Sequence, residues 1–276
     1  MLECVINVSE GRRDAVIHAL RVAAGTPLLD VHTDADHNRT VLTLAAPGRA
    51  ALMSSVQAIA RAAVELIDLR EHTGVHPFTG AIDVVPFVPL DDATMDNALA
   101  ARDEFVAWAR DDLALPCLAY GPDTRTLPEA RRAVRDGEVE PHPTAGVCMV
   151  GARDVLVAYN IWLAEPDVAL AKGIAAEVRS DAVRALGLDV GGHAQVSCNL
   201  IDPDRVGPDA LYDAVASRAA VARAELVGLL PARVLAAIPT GRWRALDLGP
   251  SRTIEARRGG SAGLDGGSFG GGPGGS

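Results

Sequence analysis

The sequence predicts an α/β (α+β) fold of two similar β-α-β-β-α-β subdomains, with mixed sheets and helices packed on one face. Three observations predict it. Short β-rich apolar runs alternate with segments whose apolar residues recur at helical spacing. The order β-α-β-β-α-β is complete within residues 2–89 and starts again near residue 155. A proline-marked connector, Glu138 to Thr144, lies between the two series.

Leu2 to Val8 reads as a buried strand, and Gly11 to Ala24 as a helix with Val16, Ala19, Leu20 and Ala23 on one face. Leu28 to His32 and Thr40 to Ala45 are strands joined by the polar turn Thr33 to Asn38. Arg49 to Leu69 carries the clearest apolar stripe, through Leu52, Val56, Ile59, Ala63 and Ile67. Ala81 to Pro89 is the fourth strand and completes the split-βαβ, or ferredoxin-like, unit. A helix from Met95 to Asp112, a strand Cys117 to Tyr120 and a charged helix within Gly121 to Gly137 follow. The run Gly146 to Val150 is a strand that either lobe can claim. In the second half, strands at Val155 to Leu163, Leu188 to Val190, Ala194 to Ile201 and Glu225 to Leu230 are expected. Helices are expected from Glu165 to Leu186, Pro208 to Ala224 and Pro231 to Ile238. The expected division is residues 1–150, residues 151–258 and a disordered tail over 259–276. That tail holds ten of the 27 glycines and cannot bury enough surface to offset its ordering entropy.

Composition narrows the function. A chain of 276 residues, 49% of them hydrophobic, can bury a large core. With 36 acids against 26 bases, the net charge of −10 argues against a non-specific surface for nucleic acid or anionic lipid. Lys172 is the only lysine, so lysine-dependent chemistry has one candidate. Cys4, Cys117, Cys148 and Cys198 stand in apolar runs with no CxxC pair, and read as buried small side chains. No run reaches the roughly 18 apolar residues of a membrane span. The opening Met1-Leu2-Glu3 lacks the basic start of a signal peptide, so a cytoplasmic location is expected.

Five polar stretches can carry chemistry. His72 and His76 stand four apart, but Gly74 and Pro77 make a helix improbable, so both are placed on a loop leading into a strand. Either histidine can be structural, a weak metal ligand, or a group that exchanges protons near neutrality. The turn His32, Asp34, Asp36, His37, Asn38 and Arg39 is a surface turn or a site at one end of the sheet. Arg125, after a strand end, can clamp a carboxylate. Asn160 is a polar residue in an apolar strand, a satisfied amide or a substrate contact. Gln195, Ser197 and Asn199 share one strand face, as an inter-lobe groove would require.

These residues have a familiar order. Glu3-Cys4-Val5-Ile6-Asn7-Val8-Ser9-Glu10-Gly11, His37-Asn38-Arg39-Thr40 and His72-Thr73-Gly74-Val75-His76-Pro77 resemble the glutamate formiminotransferase family. So do Arg125-Thr126-Leu127-Pro128, Val150-Gly151-Ala152-Arg153 with Asn160, Gln195-Val196-Ser197-Cys198-Asn199 and Glu225-Leu226-Val227-Gly228. The resemblance runs over about residues 1–240 and implies a two-lobed, dimeric transferase. Its implied reaction moves a formimino group between N-formimino-L-glutamate and N5 of tetrahydrofolate, a co-substrate, with no metal. By motif, His76 is the catalytic histidine, while His37, Asn38, Arg39, Arg125, Gly151, Arg153 and Asn160 are expected at the substrates. The sequence departs from the family in two ways. Gly137-Glu138-Val139-Glu140-Pro141 runs almost directly into His142, where relatives carry a longer connector implicated in folate binding. The resemblance also does not extend to the cyclodeaminase half of bifunctional relatives.

Three other readings stay open on the sequence alone. A divergent member would act on another amidine or acyl donor, as the short connector suggests. A non-catalytic folate-binding paralogue would bind without turnover. A metal-dependent hydrolase would use His32, Asp34, His37, His72 and His76, and needs those five to converge.

Overall fold

The computed structural model describes residues 1–260. All but the first two residues of the glycine-rich tail, read above as disordered, lie outside them. The first lobe runs β1 (Leu2–Val8), α1 (Asp14–Ala24), β2 (Leu28–Asp34), β3 (Arg39–Ala46), α2 (Arg49–Leu66), β4 (Ile82–Pro89), α3 (Met95–Leu113), β5 (Cys117–Tyr120), α4 (Leu127–Arg135) and β6 (Cys148–Ala152). The second runs β7 (Val157–Leu163), α5 (Val168–Val178), β8 (Val183–Val190), β9 (His193–Leu200), α6 (Pro208–Ala216) and β10 (Val221–Val227), followed by the short helices α7 (Ala232–Ala236) and α8 (Ile254–Gly259). None of the described helices is long and apolar enough to cross a membrane.

The first sheet has the order β2-β3-β1-β4-β6-β5 and the second β10-β7-β9-β8. In each, the four strands of the β-α-β-β-α-β series are antiparallel and lie in the same relative order, fourth, first, third, second. The strand left between the lobes by sequence joins the first sheet: β6 pairs in parallel with β4 and with β5.

Alternation explains the layering. In β1, Leu2, Cys4, Ile6 and Val8 enter the main core, which α1, α2 and α3 cover. Glu3, Val5 and Asn7 turn to the opposite face and line a cleft toward the second lobe. In the second lobe, Val157, Tyr159, Ile161 and Leu163 of β7 face their own core with α5 and α6, while Ala158 and Asn160 face the cleft. Not every helix lies on one face. Ala130 of α4 packs on Val84, Val147 and Met149, the side of the first sheet that α1–α3 do not cover.

Two helices are shorter than the sequence predicts. The segment expected to be helical to Leu186 ends at Val178, and Val183–Val190 is a strand. Val183 and Ala185 are buried while Arg184 and Leu186 are exposed, a period of two that alanine-rich composition disguises as helix. Likewise α6 stops at Ala216 rather than Ala224, because Val221 to Ala224 pairs with β7.

Candidate functional site

The two sheets enclose a cleft of about 450 Å³, within the range of small-molecule sites. Its floor mixes apolar side chains, among them Val5, Val41, Val84 and Pro86, with charged ones from both lobes.

The loop between α2 and β4 brings His76 to this cleft, and backbone contacts fix the loop. The Asn38 Oδ1 accepts from Gly11 N at 2.8 Å, and its Nδ2 donates to His72 Nδ1 at 3.1 Å and to Thr73 O at 3.0 Å. Asn38 has φ +48, a conformation asparagine tolerates better than most residues. Gly74 passes so close to β-turn backbone that an added Cβ would lie 2.4 Å from His37 O. His72 stacks edge-on to Phe78, with ring centroids 4.3 Å apart. Of the two loop histidines, His76 lines the cleft and His72 serves the loop.

The electrostatics around His76 centre on Asp83, which is fully buried. Its Oδ2 accepts from Arg39 Nη1 at 2.9 Å and from Arg131 Nη2 at 3.0 Å. Its Oδ1 accepts from Thr79 N at 2.7 Å and Thr79 Oγ1 at 3.0 Å. Burial alone would raise this carboxyl, but the two guanidiniums and the Thr79 amide hold it at about 2. Burial, then Arg39 and Arg131, keep His76 well below the ordinary imidazole value. His76 Nδ1 lies 2.8 Å from Pro77 O, and because a carbonyl only accepts, Nδ1 carries the hydrogen. Nε2 therefore keeps its lone pair, and the ring is neutral at neutral pH.

Two polar bridges cross between the lobes beside it. His37 Nε2 donates to Gln195 Oε1 at 3.0 Å, and the His37 ring centroid lies 5.9 Å from that of His76. His32 Nε2 is 3.4 Å from Glu225 Oε1. Burial would raise Glu225, yet hydrogen bonds from His32 and Trp162 hold it at about 2.

The cleft collects His37, Arg39, His76, Arg153 and Asn160 of the residues expected at the site. Asn160 Nδ2 donates to Glu225 Oε2 at 3.4 Å, and Arg153 Nη1 to Asp154 O at 2.9 Å. Three expected residues stand elsewhere. Arg125 lies in a separate shallow depression and pairs with Glu138 at 3.3 Å, because β5 ends before the turn that carries it outward. Asn38 spends its amide on the loop, as above. Gly151 touches no cleft; it leaves room for the Tyr120 ring, whose carbon would sit 2.0 Å from a Cβ there. Sequence reading places Asp83 in the stretch that carries His76 but gives neither Asp83 nor Arg131 a role. The signal for Asp83 was an acid inside the apolar run Ile82-Asp83-Val84-Val85, the anomaly already noticed at Asn160. Arg131 had none, because it is one of several arginines on a charged helix. Among the described residues, no group of three or more His, Cys, Asp or Glu has metal-holding geometry. His32, Asp34, His37, His72 and His76 do not form one ligand set, since His72 is bonded to Asn38 and His32 to Glu225.

Comparison with known proteins places this geometry in context. Residues 1–153 match the family model described as the formiminotransferase domain, N-terminal subdomain. The chain is 32% identical over 272 residues to the glutamate formimidoyltransferase of Streptococcus pyogenes serotype M1, covering 85% of the chain and 90% of that protein. It is 30% identical over 272 residues to the glutamate formimidoyltransferase of Thermoplasma acidophilum, with 85% and 89% coverage. Against the formimidoyltransferase-cyclodeaminase of Sus scrofa it is 33% identical over 277 residues, and spans 51% of that longer protein.

Proposed function

The chain belongs to the glutamate formiminotransferase family, and we propose that it transfers a formimino group between N-formimino-L-glutamate and N5 of tetrahydrofolate. A one-carbon transferase role follows from the family; the donor, the acceptor and the residues are our reading. The observation that carries it is a neutral imidazole, His76, with a free Nε2 beside two guanidiniums riveted by one buried carboxylate.

The chemistry suits that group. The N5 lone pair attacks the formimino carbon, and His76 Nε2 takes the N5 proton. The tetrahedral intermediate then expels the glutamate nitrogen, which receives the proton back from the imidazolium as the carbon–nitrogen bond breaks. Arg39 and Arg131 each keep N–H donors beyond those bonded to Asp83, and Arg153 stands on the same cleft. We assign these three to the carboxylates of the two substrates. The apolar floor suits a flat ring. The test mixes the protein with both substrates and follows formimino-folate formation, beside a His76→Ala control. No turnover in either rejects the function, and equal turnover in both rejects His76 as the proton carrier.

A further inference from the structure

Besides Arg131 Nε near His76, two polar groups on the cleft floor have no partner among the described residues. Glu3 is 3% exposed, and no hydrogen bond or ion pair reaches its carboxyl from the described residues. Burial, with the more distant charges of Arg153, Glu255 and Arg258, pushes it up to about 7. Thr43 Oγ1 is buried and likewise without a hydrogen-bond partner. Both residues line the cleft. Glu3 lies opposite Ala45 and Val5 opposite Thr43 in the β1–β3 ladder, so Glu3 and Thr43 are diagonal neighbours, about 7 Å apart. Buried polar groups are ordinarily satisfied. Two orphans side by side in a cleft of ligand size mark a place where a ligand completes the bonding.

Resting on the folate acceptor proposed above, we propose that Glu3 and Thr43 read the edge of its ring. The Glu3 carboxylate accepts two parallel N–H bonds from a 2-amino-4-oxopyrimidine edge, and the Thr43 hydroxyl donates to the neighbouring carbonyl. The placement agrees with the reaction. Glu3 and Asn7 point from the same face of β1, four residues and thus about 13 Å apart. Asn7 Oδ1 accepts from Arg39 Nε at 3.1 Å, which puts it at the His76 end. A flat bicyclic ring lying over Val5, with a hydrogen bond of about 3 Å at each end, spans that interval. In such a ring N5 adjoins the 4-carbonyl, so a carbonyl at Thr43 directs N5 toward His76. The formamidine of the donor also presents paired N–H groups, but it reacts at His76 and so lies at the other end.

The test measures binding of 6-methyltetrahydropterin and of its 2-desamino counterpart by calorimetry, under reductant, to the full chain and to Glu3→Gln and Thr43→Val. Wild type is expected to bind the desamino ring about ten- to a hundred-fold more weakly, the range for hydrogen bonds to a charged group. Glu3→Gln is expected to lose as much for the intact ring and to stop distinguishing the two. Thr43→Val is expected to lose about two- to ten-fold for both. If wild type binds both rings equally, or Glu3→Gln binds the intact ring like wild type, the role of Glu3 is overturned while the folate reading stands. An unchanged Thr43→Val removes Thr43. A wild type that binds neither ring overturns the folate reading together with this one. Should Glu3→Gln fail to fold, the comparison of the two rings on wild type decides.

Discussion

At the scale of single residues, burial opposes charge throughout the site, and neighbours restore it at Asp83 and Glu225 but not at His76 or Glu3. His76 is held neutral by burial and by two guanidiniums, so its protonation on acidification is delayed. The acid limb of the pH–rate profile is expected below the ordinary imidazole value of about 6.5. Arg131→Gln removes one positive neighbour and leaves more of the Asp83 charge facing the ring. The limb should then move up toward 6.5, and a limb that stays or moves down would show that Arg131 does not set it. His76→Ala should lower kcat by about 10²- to 10⁴-fold, the usual worth of positioned proton transfer. Glu3 titrates with the opposite sign. Its folded value is raised from 4.5 to about 7, so above 4.5 the unfolded chain ionises while the folded carboxyl resists. Stability is lost as pH rises from about 4.5 to about 7 and stays reduced above. Glu3→Gln removes this loss, and its unfolding free energy relative to wild type should grow across that interval and plateau beyond it. A difference independent of pH, measured by urea titration, would contradict the raised carboxyl.

At the scale of elements, legibility followed periodicity. β1 to β4 with α1 and α2 were readable because each strand is a short apolar, β-rich run bounded by turn residues and each helix carries a stripe at its own period. Leu2–Val8 is the clearest case, with one face in the core and the other in the cleft. The failures at α5 and α6 share a cause: alanine and valine runs satisfy both periods, and the strand begins where pairing, not propensity, decides. Motif matching named residues of which His37, Arg39, His76, Arg153 and Asn160 line the cleft, while Asn38, Arg125 and Gly151 do not. Gly151 stands in a matched stretch, yet its role is steric, since a Cβ there would lie 2.0 to 2.4 Å from the Tyr120 ring. Tyr120 is 5% exposed and packs with Ala130 of α4, so the ring has little room to yield. Gly151→Ala should therefore destabilise the chain by about 1–3 kcal/mol, as overpacking does. Denaturant unfolding checks this, and a neutral result would mean that β6 shifts instead of the ring.

At the scale of the whole molecule, the cleft exists only because the two lobes keep a fixed separation, and two kinds of contact hold it. One is the polar pair at the site, His37 with Gln195 and His32 with Glu225, buried or nearly so. The other is the returning C-terminal segment, where Arg258 pairs with Asp91 at 2.8 Å and Arg257 with Asp30 at 3.6 Å. The pairing itself is not legible in sequence, because each contact joins residues of different lobes far apart in the chain, although the polar strand face of Gln195 already points to an inter-lobe groove. Their weights should differ. An exposed ion pair contributes about 0–1 kcal/mol, since water and salt screen it. A buried donor left without its acceptor costs about 1–3 kcal/mol. Gln195→Leu strands the His37 Nε2–H beside His76, where a small shift of the opposite wall misplaces both substrates. It is expected to raise KM for each substrate about ten-fold, with a smaller change in kcat. Arg258→Ala should leave KM within two-fold and stability within about 0.5 kcal/mol. Steady-state kinetics on the two variants decides between them. If Arg258→Ala gives the larger KM effect, the C-terminal segment sets the width of the cleft, and the His37–Gln195 bond merely fills it.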